Sequence, residues 1–137
     1  MSDDFPITIF HNPACGTSRN ALAMIRAAGY DPTVVEYLQV GWTRPQLEDL
    51  LARMNARPRD ILREKGTPAA ELGLLDPAVG DDQILDAMVA HPLLVNRPIV
   101  VTPKGVKLSR LSETVLDLLE KQPEAFTKED GEVVRTR

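Results

Sequence analysis

Cysteine is nearly missing from this chain, which has one, Cys15. A lone thiol cannot close an internal disulfide, so a disulfide framework and a Cys-x-x-Cys redox pair are both excluded. Aromatic residues make up only 4% of the sequence, so a core has to be built from Leu, Val, Ile, Met and Ala. No apolar run approaches the ~20 residues that a membrane span needs. Positive charge is not in excess either: the formal net charge is −4, which argues against a general nucleic-acid binder but leaves room for a local basic pocket for a small anion. The opening residues Met1-Ser2-Asp3-Asp4 are acidic and lack the apolar core of a secretion signal. The expected address is a reducing cytoplasm, with neither a membrane nor a nucleic acid as partner.

What is present is ordinary in amount and particular in order. A length of 137 residues with 43% hydrophobic and 26% charged residues suits a single domain with one core, spanning 1–137. The sole cysteine lies in Phe10-His11-Asn12-Pro13-Ala14-Cys15-Gly16-Thr17-Ser18-Arg19-Asn20. Before it, Ile7-Thr8-Ile9-Phe10 reads as a buried strand. After it, a helix is expected from near Gly16 to Ala28, with Leu22 and Ile25, joined by Ala21 and Met24, on its buried face. Cys15 therefore stands at a strand-to-helix turn, where the first N–H groups of the helix lack intrahelical partners. That end of a helix favours a thiolate over a thiol and also attracts an oxyanion.

Gly29 suits the helix stop, and Thr33-Val34-Val35-Glu36-Tyr37 reads as a second strand, parallel to the first through a right-handed crossover. Thr43-Arg44-Pro45-Gln46 is a capping box with proline in the first turn, followed by Leu47, Leu50, Leu51 and Met54 at helical spacing. Pro58 is expected to open a short helix containing Ile61, Leu62 and Arg63. Thr67-Pro68 should open a third, closed by Gly73. Asp81-Asp82 should cap a fourth with the stripe Ile84, Leu85, Met88 and Val89. Residues 43 to 90 thus read as a helical block inserted between two halves of one sheet.

Strands return at Pro98-Ile99-Val100-Val101 and Val106-Lys107-Leu108, joined as a hairpin by Thr102-Pro103-Lys104-Gly105. Ser112-Glu113 should cap a last helix, with Val115, Leu116, Leu118 and Leu119 apolar. The tail, about 123–137, is polar, and Thr127 to Asp130 should cap one short turn. A βαβ half followed by a ββα half is the thioredoxin-like arrangement: an α/β fold with a mixed four-stranded sheet. In that arrangement a proline at the start of the third strand faces the active cysteine, usually through a cis peptide. Here that place is held by Asn96-Arg97-Pro98.

Three stretches carry a resemblance to a known family: HNPACGTSRN at 11–20, NRPIVVTPKGVKLSRLSE at 96–113 and FTKEDGE at 126–132. Over nearly its whole length the chain resembles the glutathione- and glutaredoxin-dependent arsenate reductases. The resemblance implies that Cys15 is the nucleophile and that Arg63, Arg97 and Arg110 embrace the oxyanion, with Arg57 and Arg59 as nearby competitors for the place of Arg63. It also implies that His11 influences the cysteine, that Ser18 lies near the sulfur, and that Pro98 shapes the site. Gly16 and Thr17 would add main-chain donors, within a run of N–H groups from Gly16 to Arg19. His11 is expected to tune the thiolate by charge rather than to act as a general base.

The cysteine count constrains the chemistry. No second thiol in the chain can resolve a Cys15–arsenic adduct, so an external thiol has to do it. The resemblance names that thiol as glutathione, a co-substrate, with glutaredoxin as partner. No bound cofactor and no metal is expected. A phosphatase-like reductase would need Cys-x5-Arg, and Ala21 stands where that arginine would be. The competing readings are a thioredoxin-fold regulator that binds RNA polymerase and a related thiol reductase with another substrate. Redox-switched regulators of that kind carry Cys-x-x-Cys, whereas Ser18 follows Cys15 here.

Overall fold

The computed structural model describes residues 5–109, 117–119, 125–127 and 133–135. The chain divides into two compact units, Met1–Glu36 with Arg97–Arg137, and Tyr37–Asn96.

The first unit carries a four-stranded sheet in the order β2-β1-β3-β4. Its strands are β1 (Thr8–His11), β2 (Thr33–Glu36), β3 (Ile99–Thr102) and β4 (Gly105–Leu108). The β1–β2 pair is parallel, with His11 opposite Glu36. The β1–β3 and β3–β4 pairs are antiparallel, with Phe10 opposite Ile99. This is the mixed thioredoxin-like sheet expected from the order of elements. Between β1 and β2 runs α1 (Gly16–Ala27), which buries Ala21, Met24 and Ile25. These residues pack with Ile7, Ile9, Val100, Leu118 and Leu119, and Leu22 joins only partly buried. Such a core excludes water mostly with aliphatic side chains, with Phe5 buried among them and Tyr30 packed against it. The β3–β4 hairpin closes on Pro103 and Lys104, where the Thr102 hydroxyl accepts the Lys104 N–H at 3.1 Å.

The second unit holds α2 (Tyr37–Val40), α3 (Arg44–Met54) and α4 (Asp81–Ala90). The capping box is formed as read: the Gln46 N–H donates to Thr43 Oγ1, and the Thr43 N–H to Gln46 Oε1. Leu47, Leu50 and Leu51 are buried from α3, and Ile84, Leu85 and Met88 from α4. The unit begins at Tyr37 and ends at Asn96, wider at both ends than the block expected over 43–90. Among the described residues no helix is long and apolar enough to cross a membrane.

Several expectations are corrected. Tyr37 leaves the second strand and opens α2, because its ring is fully buried and its hydroxyl donates to the Val95 carbonyl. Pro58 opens a single 3-10 turn that ends at Ile61, so Arg63 lies beyond it; the Arg63 N–H donates instead to the Leu94 carbonyl at 2.8 Å. No helix runs from Thr67 to Gly73. The segment forms successive turns, in which the Thr67 hydroxyl donates to the carbonyls of Arg63 and Glu64 rather than capping a helix. The cap of α4 is Gly80; Asp81 and Asp82 sit in the first turn, where negative charge suits the helix dipole. Val89 is exposed. In the tail, Thr127 ends a strand, β5 (Ala125–Thr127), that pairs antiparallel with β6 (Val133–Arg135). The start of the expected last helix, at Ser112-Glu113, lies outside the described residues, as does Arg110.

Candidate active site

The sequence order strand, turn, helix places Cys15 at the N-cap of α1, with φ −99° and ψ 120°. The turn that delivers it is tied at almost every polar group. The Cys15 N–H donates to the Asn12 carbonyl at 3.0 Å, and the Ala14 N–H to Asn12 Oδ1 at 2.9 Å. Asparagine suits this position because its side chain can mimic a backbone turn. Proline at 13 has no N–H to satisfy. Its carbonyl accepts from the Arg19 guanidinium at 2.8 Å. The Arg19 N–H donates to the Cys15 carbonyl at 2.9 Å, so it is spent on the helix. The run of main-chain donors expected from Gly16 to Arg19 therefore stops before Arg19, with Gly16 and Thr17 at its head. No acidic residue stands in the first turn of α1, so nothing there offsets the positive end of the helix. Cys15 is 7% exposed.

Beneath the turn lies a buried polar pair. Ser18 is fully buried and His11 is 5% exposed. Ser18 Oγ stands 2.6 Å from His11 Nδ1 and accepts the Asn12 N–H at 3.1 Å. Burial holds the His11 pKa below its ordinary value of 6.5, with Arg26 and Arg19 pulling the same way and Glu36 against them. Burial thus favours the neutral form of the ring. His11 meets the cysteine turn through Ser18, whose Oγ also accepts the Asn12 N–H.

Arg97 is buried and precedes Pro98 across a cis peptide bond, as expected. The Pro98 carbonyl accepts the Ser109 N–H at 2.8 Å, which fixes this end of β3 to the strand leading to Arg110. Extending the β1–β3 register by one residue sets Pro98 across from His11. The sheet thereby gathers Cys15, His11, Ser18, Arg97 and Pro98 at one end, the C-terminal end of the parallel pair, where open α/β sheets commonly place sites.

Arg63 belongs to the other compact unit, half-buried, with its main chain paired to Leu94 and the Leu62–Val95 bridge beside it. Its two competitors are engaged elsewhere. Arg57 is exposed and pairs with Asp81, while the Arg59 guanidinium donates to the carbonyls of Leu74, Asp76 and Val79. One residue escaped the sequence reading: Glu36, which the parallel register sets opposite His11. No spacing along the chain announces it, because the pairing exists only once β1 and β2 lie side by side. Among the described residues no group of three or more His, Cys, Asp and Glu could hold a metal ion.

Known proteins resemble this chain in sequence and in fold. The profile of the ArsC family matches residues 10–118. Arsenate reductase ArsI2 of a Synechocystis strain is 60% identical over 93% of this chain and 92% of its own length. An arsenate reductase of Rhizobium meliloti is 57% identical over the same shares of the two chains. The solved arsenate reductase of Vibrio cholerae superposes with a TM-score of 0.80 at 34% identity, covering 84% of this chain and 98% of that one.

Proposed function

The chain belongs to the ArsC family, and from that premise we propose that it reduces arsenate to arsenite, with Cys15 as nucleophile and with glutathione and glutaredoxin as reductants. The observation that carries the reading is the placement of the sole cysteine. It caps a helix that has no acid in its first turn, at the end of the sheet that also bears a buried arginine and a cis-proline. The names of the relatives, at 57% and 60% identity, supply the substrate.

Arsenate is a multiply charged tetrahedral oxyanion at neutral pH. Arginine suits it, since the planar guanidinium pairs two oxygens at once and keeps its charge. In this reading Arg97, Arg63 and Arg110 hold the oxygens, and the N–H groups of Gly16 and Thr17 add neutral donors at the helix end. The Cys15 thiolate attacks arsenic; a sulfur–arsenic bond forms and an arsenic–oxygen bond breaks, its oxygen leaving as water after protonation. The thiol of glutathione then displaces a second oxygen. A glutaredoxin thiol takes the glutathione sulfur as a mixed disulfide, which leaves two electrons on arsenic. Water releases arsenite and returns Cys15. The need for an external thiol follows from the single cysteine. His11 and Ser18 keep the cysteine turn in place, and Pro98 shapes the wall of the site. A cytoplasmic setting, where glutathione is abundant and reduced, fits this cycle.

The test is arsenite production by the purified protein given arsenate, glutathione and glutaredoxin, beside Cys15→Ser. Turnover by the wild type and none by the variant is expected, with both folded by circular dichroism. No arsenite from folded wild type overturns the reading.

A further inference from the structure

His11 is held from one side by a contact that the structure resolves in full, and the strand beside it carries a charge of the opposite kind to its proton. Glu36 is the last residue of β2, the edge strand, and is the parallel partner of His11 at the last position of β1. Residues paired across two strands project to the same face of the sheet. We propose that Glu36 is a positioning residue for His11, the counter-charge that keeps the imidazole proton on Nε2 and leaves Nδ1 to meet Ser18.

The donor accounting supports this. Ser18 Oγ accepts the Asn12 N–H and has one proton to give, which in this proposal goes to His11 Nδ1 at 2.6 Å. A neutral imidazole that accepts at Nδ1 carries its hydrogen on Nε2. A carboxylate can only accept, and it favours that hydrogen. The other charges that act on the ring come from α1: Arg19 and Arg26, both opposing protonation alongside burial. On β3 none of Ile99–Thr102 is titratable, although Arg97 precedes that strand. Among the described charged groups that act on His11, Glu36 favours its charged form. Its place at the strand end, level with the cysteine turn, makes the ring's tautomer and charge a property of the β1–β2 register.

The chain has two histidines, and the second, His91, is exposed and belongs to the other compact unit, so it serves as an internal reference. The imidazole nitrogens are followed by 15N NMR from pH 8 to pH 5 in the wild type, Glu36→Gln and Glu36→Thr, the last chosen because a β-branched residue suits an edge strand. The wild type is expected to show His11 as the Nε2–H tautomer. Both variants should lose part of that preference, and their His11 titration should move downward while His91 stays in place. Glu36→Asp should keep the wild-type tautomer. The acid limb of kcat/KM should follow the His11 shift, and only this arm rests on the reductase reading. An identical His11 tautomer and titration in wild type and variants overturns the proposal, as does an equal movement of His91. Absence of arsenite turnover in the wild type would count against the reductase reading alone.

Discussion

The stretch from His11 to Arg19 and the segment from Arg57 to Gly80 are both held by side-chain hydrogen bonds, and they are held in opposite ways. In the first, partners lie two to seven residues apart: Asn12 with Ala14, Asn12 with Ser18, His11 with Ser18, Pro13 with Arg19. In the second, one guanidinium reaches fifteen to twenty residues along the chain, from Arg59 to the carbonyls of Leu74, Asp76 and Val79. A local network costs little loop entropy to close and stays set while distant parts of the fold move. The long-reach strut ties down a stretch with few buried side chains, Ala69 and Leu74 among them. The difference suits their work. The cysteine turn is held as a preorganised site would be, with orientation set before any reaction begins. The Arg59 segment has only to be kept folded.

The largest expected effect comes from the short-range network. Ser18→Ala leaves the buried Asn12 N–H and His11 Nδ1 without their shared partner. It should cost about 1–3 kcal/mol in urea unfolding, and Cys15 alkylation by iodoacetamide should change with it. Unaltered stability would mean that the turn is not held from below.

Arg59→Ala should cost on the order of 2 kcal/mol, since three carbonyl partners of a charged donor are lost together. Amide exchange should accelerate between Thr67 and Val79, while Cys15 alkylation keeps its rate. A slowed alkylation would show that the two segments are coupled rather than independent.

The third expectation concerns pH. A histidine whose folded pKa lies below 6.5 binds its proton in the unfolded chain first. Its contribution to stability is therefore complete at neutral pH and is lost as pH falls below 6.5, until the folded form also titrates. The slope is at most ~1.4 kcal/mol per pH unit. Urea unfolding from pH 7.5 to pH 5 should show that slope in wild type and its loss in His11→Gln.

Arg19→Ala should have the smallest effect on stability, about 0.5–1 kcal/mol, because its hydrogen bond to Pro13 lies in solvent. Removing its charge should nevertheless raise the His11 titration, since Arg19 opposes that proton. NMR of the ring reads this directly, and an unmoved titration would confine Arg19 to the loop alone.

Much of this was legible along the chain because the controlling contacts are short. Thr43 and Gln46 announce their capping box at a fixed spacing. Asn12-Pro13 announces a turn, Gly29 a helix stop, and the alternating and helical runs announce the sheet and α1. The misreadings fall where distant residues override local preference. Thr67-Pro68 has the composition of a helix start, yet Thr67 turns its hydroxyl back to Arg63 and Glu64, and Arg59 claims the carbonyls further on. Tyr37 has the β preference of an aromatic, yet burial of its ring and the Val95 carbonyl draw it into a helix. Phe126 and Thr127 lie in a polar tail whose pairing partner, Val133 to Arg135, is visible only as a hairpin.

The sequence by itself determined that the chain holds one cysteine and that this cysteine stands at a helix end, since each depends on residue identity and on neighbours within one turn. The tertiary structure alone decided that burial lowers the His11 pKa, that Ser18 joins His11 to the Asn12 N–H, and that Glu36 stands across from His11. It also decided that Arg57 and Arg59 are engaged elsewhere. Burial and strand register set these properties, and neither quantity exists until the chain has folded and water has been removed from around the ring.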